Sequence, residues 1–565
     1  MNDLPAAIDQ LNGRMEALER RVGELEQTLA ARRERTAPLA GTPPGTLEAA
    51  LLSERPAAQT GGMFSVLGKA MLGIAGAYLL RAVAEGSVVP RPLAAILGIA
   101  YSIVWLLIAA RTRAEARFAR AVYAVNSAVI LAPMLWELAV RFKALPASAI
   151  AGALMAYELT ALLLGTRLQR TVVPQIATVT VAALCLTLAI VTHETLPFAA
   201  VLMATAALCE YRAATDMGRL ARLMVALTAD LAVWLLIYIY TNPAEARSDY
   251  PALGRVWLLT PAILLFLLYA SATALNALRK ELKVIVFETA QATIAFLLAA
   301  VALLEFGPES KRMILGVACL ALAAACYGAT AVLLKHGAQR RNVAVFSTWS
   351  GALLVAGSFL SIAEPWTAAW LCAPALAGVA AGAHFRRVFL EFHGAVFLFA
   401  AAFAAGFAEF LGRTLSSPQA GAPGGMVYAV TACAALCYVA SGREGQGEWE
   451  HDVLRLVFAA LAVGAVTALL AQGLTRLVAL GMVPALHHMA FIRMLTLCAV
   501  SLALVFSGAR LHRRELGWLG YATIAAAVVK LFAEDLRHGH LEYVAASIFL
   551  LALTLIAAPR VARSQ

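Results

Sequence analysis

Acidic residues set in the middle of long apolar runs are the first feature of this chain that chemistry could use. Asp230 stands between Ala229 and Leu231, halfway along such a run. Glu158 follows Tyr157 in another, and Glu288 precedes Gln291 by three residues, which on a helix places the two on one face. A charge at mid-bilayer costs about 2.5–3.5 kcal/mol on insertion scales, so Asp230, Glu158 and Glu288 are candidates for a proton or ion path. The structural alternative is a carboxylate paired with an arginine from a neighbouring helix end. From sequence alone, pairing outweighs transport.

A second candidate lies near the C-terminus. Lys530 and Glu534 are one helical turn apart and can pair within their helix, while Asp535 turns toward a different neighbour, near Arg537. With Arg81, at the end of the first apolar run, they make a candidate external polar cluster of Arg81, Lys530, Glu534 and Asp535. The histidines offer less. His487 and His488 are adjacent and point about 100° apart on a helix, and His538 and His540 flank Gly539. No metalloprotease helix, phosphate loop, dinucleotide fingerprint or serine-hydrolase elbow occurs. The expectation is no catalytic set, no metal and no cofactor.

The elements that position these residues follow from composition. Hydrophobic residues make up 61% of the 565 and charged residues only 14%, so membrane helices displace the usual expectation of several soluble domains. Between Met63 and Ala558, apolar runs of about 20 residues alternate with short polar junctions, the pattern of about eighteen spans. The expected fold is an all-α polytopic transmembrane bundle, with neighbouring helices antiparallel because their loops are short. One expected span covers 388–410. Thr475 to Met489 is apolar but interrupted by Pro484, and reads as an external, re-entrant or interfacial segment. Gly378 and Gly382 form a small-xxx-small face that lets helices approach closely. The eight cysteines sit singly in apolar runs and imply no disulfide framework.

Residues 1–35 carry a heptad seam. Leu4, Ile8, Leu11, Met15, Leu18, Val22, Leu25 and Leu29 alternate in steps of four and three, and Arg14 and Arg21 can meet Glu19 and Glu26 of a second strand. The expected partner is a second copy of this chain. Gly13 and Gly23 each cost about 1 kcal/mol of helix stability, so the coil is weak alone. Residues 36–62, with Pro38, Pro43, Pro44 and Pro56, read as a flexible linker before the membrane domain 63–558, and 559–565 as a short tail.

The net charge of +11 is spread over the junctions, not over one face, which argues for lipid headgroups as partners and against nucleic acid. Arg111/Arg113/Arg117, Arg279/Lys280/Lys283, Arg386/Arg387 and Arg510/Arg513/Arg514 fall on alternate junctions. The positive-inside rule then places both termini in the cytosol.

Two stretches resemble a bacterial family. Gly73-Ile-Ala-Gly76-Ala-Tyr-Leu-Leu-Arg81, followed by Gly86, Pro90, Arg91 and Gly98, is similar to its first hairpin, and Val529-Lys530-Leu-Phe-Ala-Glu-Asp535-Leu to the stretch before its last span. The family comprises many-spanning membrane proteins with an N-terminal coiled coil, known only as a domain of unknown function (number twenty-three thirty-nine). Phe64 stands where tryptophan is common in it, and Arg81 where lysine is usual. The resemblance implies a bacterial cytoplasmic (inner) membrane protein and supplies no activity.

Three functions fit these readings. A non-catalytic envelope or assembly protein gathered by its coil ranks first. A transporter of a small solute, ion or lipid using the intramembrane carboxyls is the alternative. A membrane-embedded transferase on lipid-linked substrates ranks last, since no large external loop is present. Transporters often carry internal repeats with broken helices at matching positions; no convincing repeat stands out when the sequence is read alone.

Overall fold

The computed structural model describes residues 63–80, 82, 91–113, 116–143, 145–168, 171–212, 218–337, 339–416, 423–441, 449–479, 486–536 and 540–563. The expected coiled coil, the linker and Arg81 lie outside the described residues. The chain forms two compact units, the first ending at Leu131 and the second starting at Ala132.

The described residues form nineteen helices and no strand. α1 is Met63–Leu80. Then come α2 Arg91–Arg111, α3 Arg117–Trp136, α4 Ala147–Arg167, α5 Val172–Val191, α6 Thr195–Arg212, α7 Arg219–Thr241, α8 Arg255–Leu278, α9 Val286–Phe306 and α10 Lys311–Lys335. α11 is Arg340–Ser361, α12 Trp366–Phe385, α13 Val388–Ala404, α14 Phe407–Ser416 and α15 Gly425–Ala440. α16 is Trp449–Ala479, α17 Leu486–Leu511, α18 Arg514–Lys530 and α19 Leu541–Arg563.

Fourteen of these helices are long and apolar enough to cross a membrane, fifteen if α13 and α14 form one span. The other expected spans also hold helices, among them α15, which is 16 residues long. Large apolar side chains such as Phe399, Leu163 and Val529 point outward, exposed by 60% or more. That surface is stable only against lipid, and helices alone satisfy their own backbone there. The protein is therefore a multi-pass integral membrane protein.

Small residues set how close the helices come. In the first unit, Tyr101 of α2 donates to the Gly73 carbonyl of α1 at 3.0 Å, and a Cβ on Gly73 would lie 2.3 Å from the Trp105 ring. In the second, α12 and α13 meet at Gly378, Gly382 and Gly394. A Cβ on Gly382 would lie 2.8 Å from the Glu391 amide nitrogen.

One expected span changes. The span expected over 388–410 is broken, α13 and α14 meeting at 60°, with the turn made by Gly406 at φ 68°. The stretch Thr475 to Met489, expected as an external, re-entrant or interfacial segment, is described only in part. Its first residues end the 31-residue α16 and its last begin α17, while 480–485 lie outside the described residues.

A second change concerns repeats. The hairpins α12–α13 and α17–α18 are copies of one another. Both carry Leu-Cys-Ala-x-x-Leu-Ala-x-Val-x-x-Gly-Ala-x-x-x-Arg-x-x-Leu-x-x-x-Gly, from Leu371 to Gly394 and again from Leu497 to Gly520. The geometry repeats with it. Each turn passes through a left-handed residue, Arg386 at φ 53° and His512 at φ 55°. Each closes on the same bond, Arg387 N–H to the Gly382 carbonyl and Arg513 N–H to the Gly508 carbonyl, both 2.9 Å. Gly394 lies against Ala375 and Val379, as Gly520 lies against Ser501 and Val505. Even the irregularity is shared. The first copy breaks after Ala404, and the second passes after Lys530, at the equivalent position, into the π-turn Leu531–Asp535.

Candidate functional site: buried carboxyls and ion clusters

The long apolar runs that make α4 to α9 helical also bury whatever polar residue interrupts them. Asp230, at mid-length of α7, is 9% exposed between Ala229 and Leu231. Gln291 of α9 donates to its Oδ1 at 2.8 Å. Among the described residues, no basic side chain pairs with it. Glu158 of α4 is wholly buried. Thr178 of α5 donates to its Oε1, and its Oε2 has no hydrogen-bond partner.

Glu288 has a different setting. It sits in the first turn of α9, where its carboxylate accepts from the Ile285 N–H at 3.2 Å and from Asn276 of α8 at 3.3 Å. An acidic residue there also meets the positive end of the helix dipole. Arg222 of α7 lies 3.6 Å from it and holds Glu210 of α6 with two bonds, Nε to Oε1 at 3.2 Å and Nη2 to Oε2 at 2.7 Å. Glu288 is thus the structural carboxylate of the three. Its helix-face neighbour Gln291 serves Asp230 instead. The polar groups of α4 to α9 thus form three clusters: Glu158 with Thr178, Asp230 with Gln291, and Arg222 with Glu210 and Glu288.

The C-terminal cluster forms around the π-turn. Wide π geometry brings Asp535, five residues on, directly onto the Lys530 ammonium, which also donates to the Ala490 carbonyl at 2.6 Å. The expectation that Asp535 faces elsewhere is therefore overturned, because ordinary helical spacing does not hold there. Glu534 lies 3.5 Å from Lys530 but is bound more closely by Arg493 of α17, at 2.6 Å. The fourth expected member, Arg81, lies outside the described residues.

Sequence reasoning missed Glu210, Arg493 and a further buried set at the turn between α12 and α13. There the Glu391 carboxylate, 2% exposed, accepts from His451 Nδ1 of α16 at 3.1 Å. Arg455, 1% exposed, donates to the Ser441 carbonyl at 2.9 Å. His393 and Tyr327 pair at 3.0 Å. These partners come from helices far apart in the chain, so no local spacing announces them. Among the described residues, no group of three or more His, Cys, Asp or Glu is placed to hold a metal ion.

Fold and site together define a class: a multi-pass helical membrane protein with polar clusters buried in its apolar core. No protein-family model, curated protein or solved structure matches the chain.

Proposed function

We propose that the α4–α9 bundle carries protons or small cations across the membrane, in the manner of an ion-coupled transporter. The observation that supports this is the pair of buried carboxyls, Glu158 and Asp230, held by a hydroxyl and an amide rather than by a basic side chain. A buried carboxyl of that kind is completed by a proton or a cation, and such groups inside a membrane mark conduction paths. Pairing with a neighbouring arginine, the reading that sequence favours, describes Glu288 and Glu210 but not these two.

The test is flux into proteoliposomes holding the purified full chain, under an imposed potential, with dyes for H+, Na+ and K+. Wild-type vesicles are expected to take up one of these ions. Glu158→Gln and Asp230→Asn are each expected to return uptake to that of protein-free vesicles while inserting normally. A wild-type protein that moves none of the three ions overturns the reading.

The assembly reading stands beside it, resting on the heptad seam. We propose that Leu4 to Leu29 gather copies of the chain on the cytosolic side of a bacterial inner membrane. Replacing Leu11, Leu18 and Leu25 with serine is expected to abolish crosslinked multimers of the membrane-inserted protein. Undiminished crosslinking would refute it.

A further inference from the structure

The two copied hairpins depart from regular helix at the same place, and a cavity of about 280 Å³ lies between the helices that adjoin the two departures. Its walls are α14, which follows the break in the first copy, α18, which precedes the π-turn in the second, and α16 and α17. Interruptions at matching positions of repeated segments point to binding sites in membrane proteins, and π-turns often accompany them.

The lining is apolar with one charge. Alanines, leucines, Val463 and Gly464 make most of it, and Arg493 is its only ionisable residue. Its four threonines, 414, 467, 496 and 523, donate to carbonyls of their own helices at 2.7–2.8 Å and so offer mainly methyl groups. Ala522 and Ala526 line the cavity and are exposed midway along α18. The cavity therefore opens sideways at the depth of lipid chains. Arg493, 6% exposed, stands at the end nearer Lys530 and reaches Glu534, whose side chain is partly open at 24%.

From this we infer that the cavity holds one acyl chain of a membrane phospholipid, with the lipid phosphate on Arg493 in place of Glu534. The volume lies just under the roughly 300 Å³ at which small-molecule sites begin, so it takes a single chain and leaves the rest of the lipid outside. An arginine fork matches a phosphate in two bonds, which favours the phosphate over a neutral head. Glu534, one turn beyond Lys530 and partly solvated, is the ligand that gives way.

The probe is a monoacylglycerol phosphate carrying a photoreactive diazirine midway along its chain, with the matching neutral monoacylglycerol as comparison. It is added to the purified full-length protein, and labelled peptides are mapped by mass spectrometry. Wild-type protein is expected to be labelled on α16 and α18, and more by the phosphate lipid than by the neutral one. Gly464→Leu is expected to remove that labelling. A Cβ at Gly464 meets nothing within 4 Å, so this variant fills the cavity without disturbing the fold. Arg493→Gln is expected to keep the labelling and lose the preference for phosphate. Equal labelling by both lipids in the wild type overturns the phosphate assignment. Labelling that survives Gly464→Leu, or is spread over all lipid-facing helices, overturns the site. No gradient is involved, so the result is independent of ion flux at Glu158.

Discussion

Leucine at Gly394 or at Gly520 is expected to leave little folded protein in the membrane, with the larger loss at Gly394. A Cβ on Gly394 would stand 2.8 Å from the Ala375 carbonyl oxygen and 3.0 Å from the Val379 nitrogen. Both are backbone atoms, which cannot rotate aside. On Gly520 the corresponding distances are 3.2 Å to the Ser501 carbonyl and 3.2 Å to the Val505 nitrogen, with the Val505 methyl at 2.7 Å. Overpacking costs about 1–3 kcal/mol where side chains can yield. Here a whole helix must retreat, so the loss is expected at or above the top of that range. Between helices in lipid, close packing is itself the main attraction, which leaves little to compensate. Thermal inactivation followed by size-exclusion of the fluorescently tagged protein measures the loss. Gly464→Leu is the matched control, with an expected change within about 0.5 kcal/mol. Tolerance of leucine at both Gly394 and Gly520 would show that the two hairpins are not held by backbone contact.

The fold was legible in sequence because its cause is local. Twenty apolar residues in a row demand a helix whatever surrounds them, and the polar junctions mark its ends. Where the reading failed, the cause was a residue with no hydropathic signature. Gly406 breaks α13 from α14 inside the apolar stretch between His393 and Glu409. The copied hairpin was written in the sequence from Leu371 to Gly394 and from Leu497 to Gly520, yet leucine and alanine recur so often in such a chain that their coincidence carries little weight. It becomes convincing only when the same glycines close the same turns. The candidate site divides in the same way. Asp230, Glu158 and Glu288 were visible as charges out of place. Which of them has a basic partner was not, because Arg222 and Glu210 come from different helices and meet only on packing.

Removing that partner gives the other large effect. Arg222→Ala is expected to destabilise the protein by about 3–5 kcal/mol, the usual result of stripping a buried ion pair of one member. The arginine has a side chain 11% exposed and faces Glu210 at 6% and Glu288 at 11%. Without it, two carboxylates share a pocket with no positive charge between them. They are not equally dependent on it. Glu288 keeps the Ile285 N–H and the Asn276 amide, whereas both hydrogen bonds to the Glu210 carboxylate come from Arg222. Glu210→Gln should therefore restore more stability to the Arg222→Ala protein than Glu288→Gln does. A double-mutant cycle over Arg222 and Glu210 is expected to give the larger coupling. Arg222→Lys should fall between, since an ammonium cannot keep two parallel bonds to Glu210 while facing Glu288. Equal rescue by the two glutamine variants would mean that Arg222 serves both carboxylates alike. A loss below about 1 kcal/mol in Arg222→Ala would mean that water reaches the pair, as it does at exposed ion pairs. The Arg222 cluster would then be a wetted wall of the α4–α9 bundle rather than a dry brace.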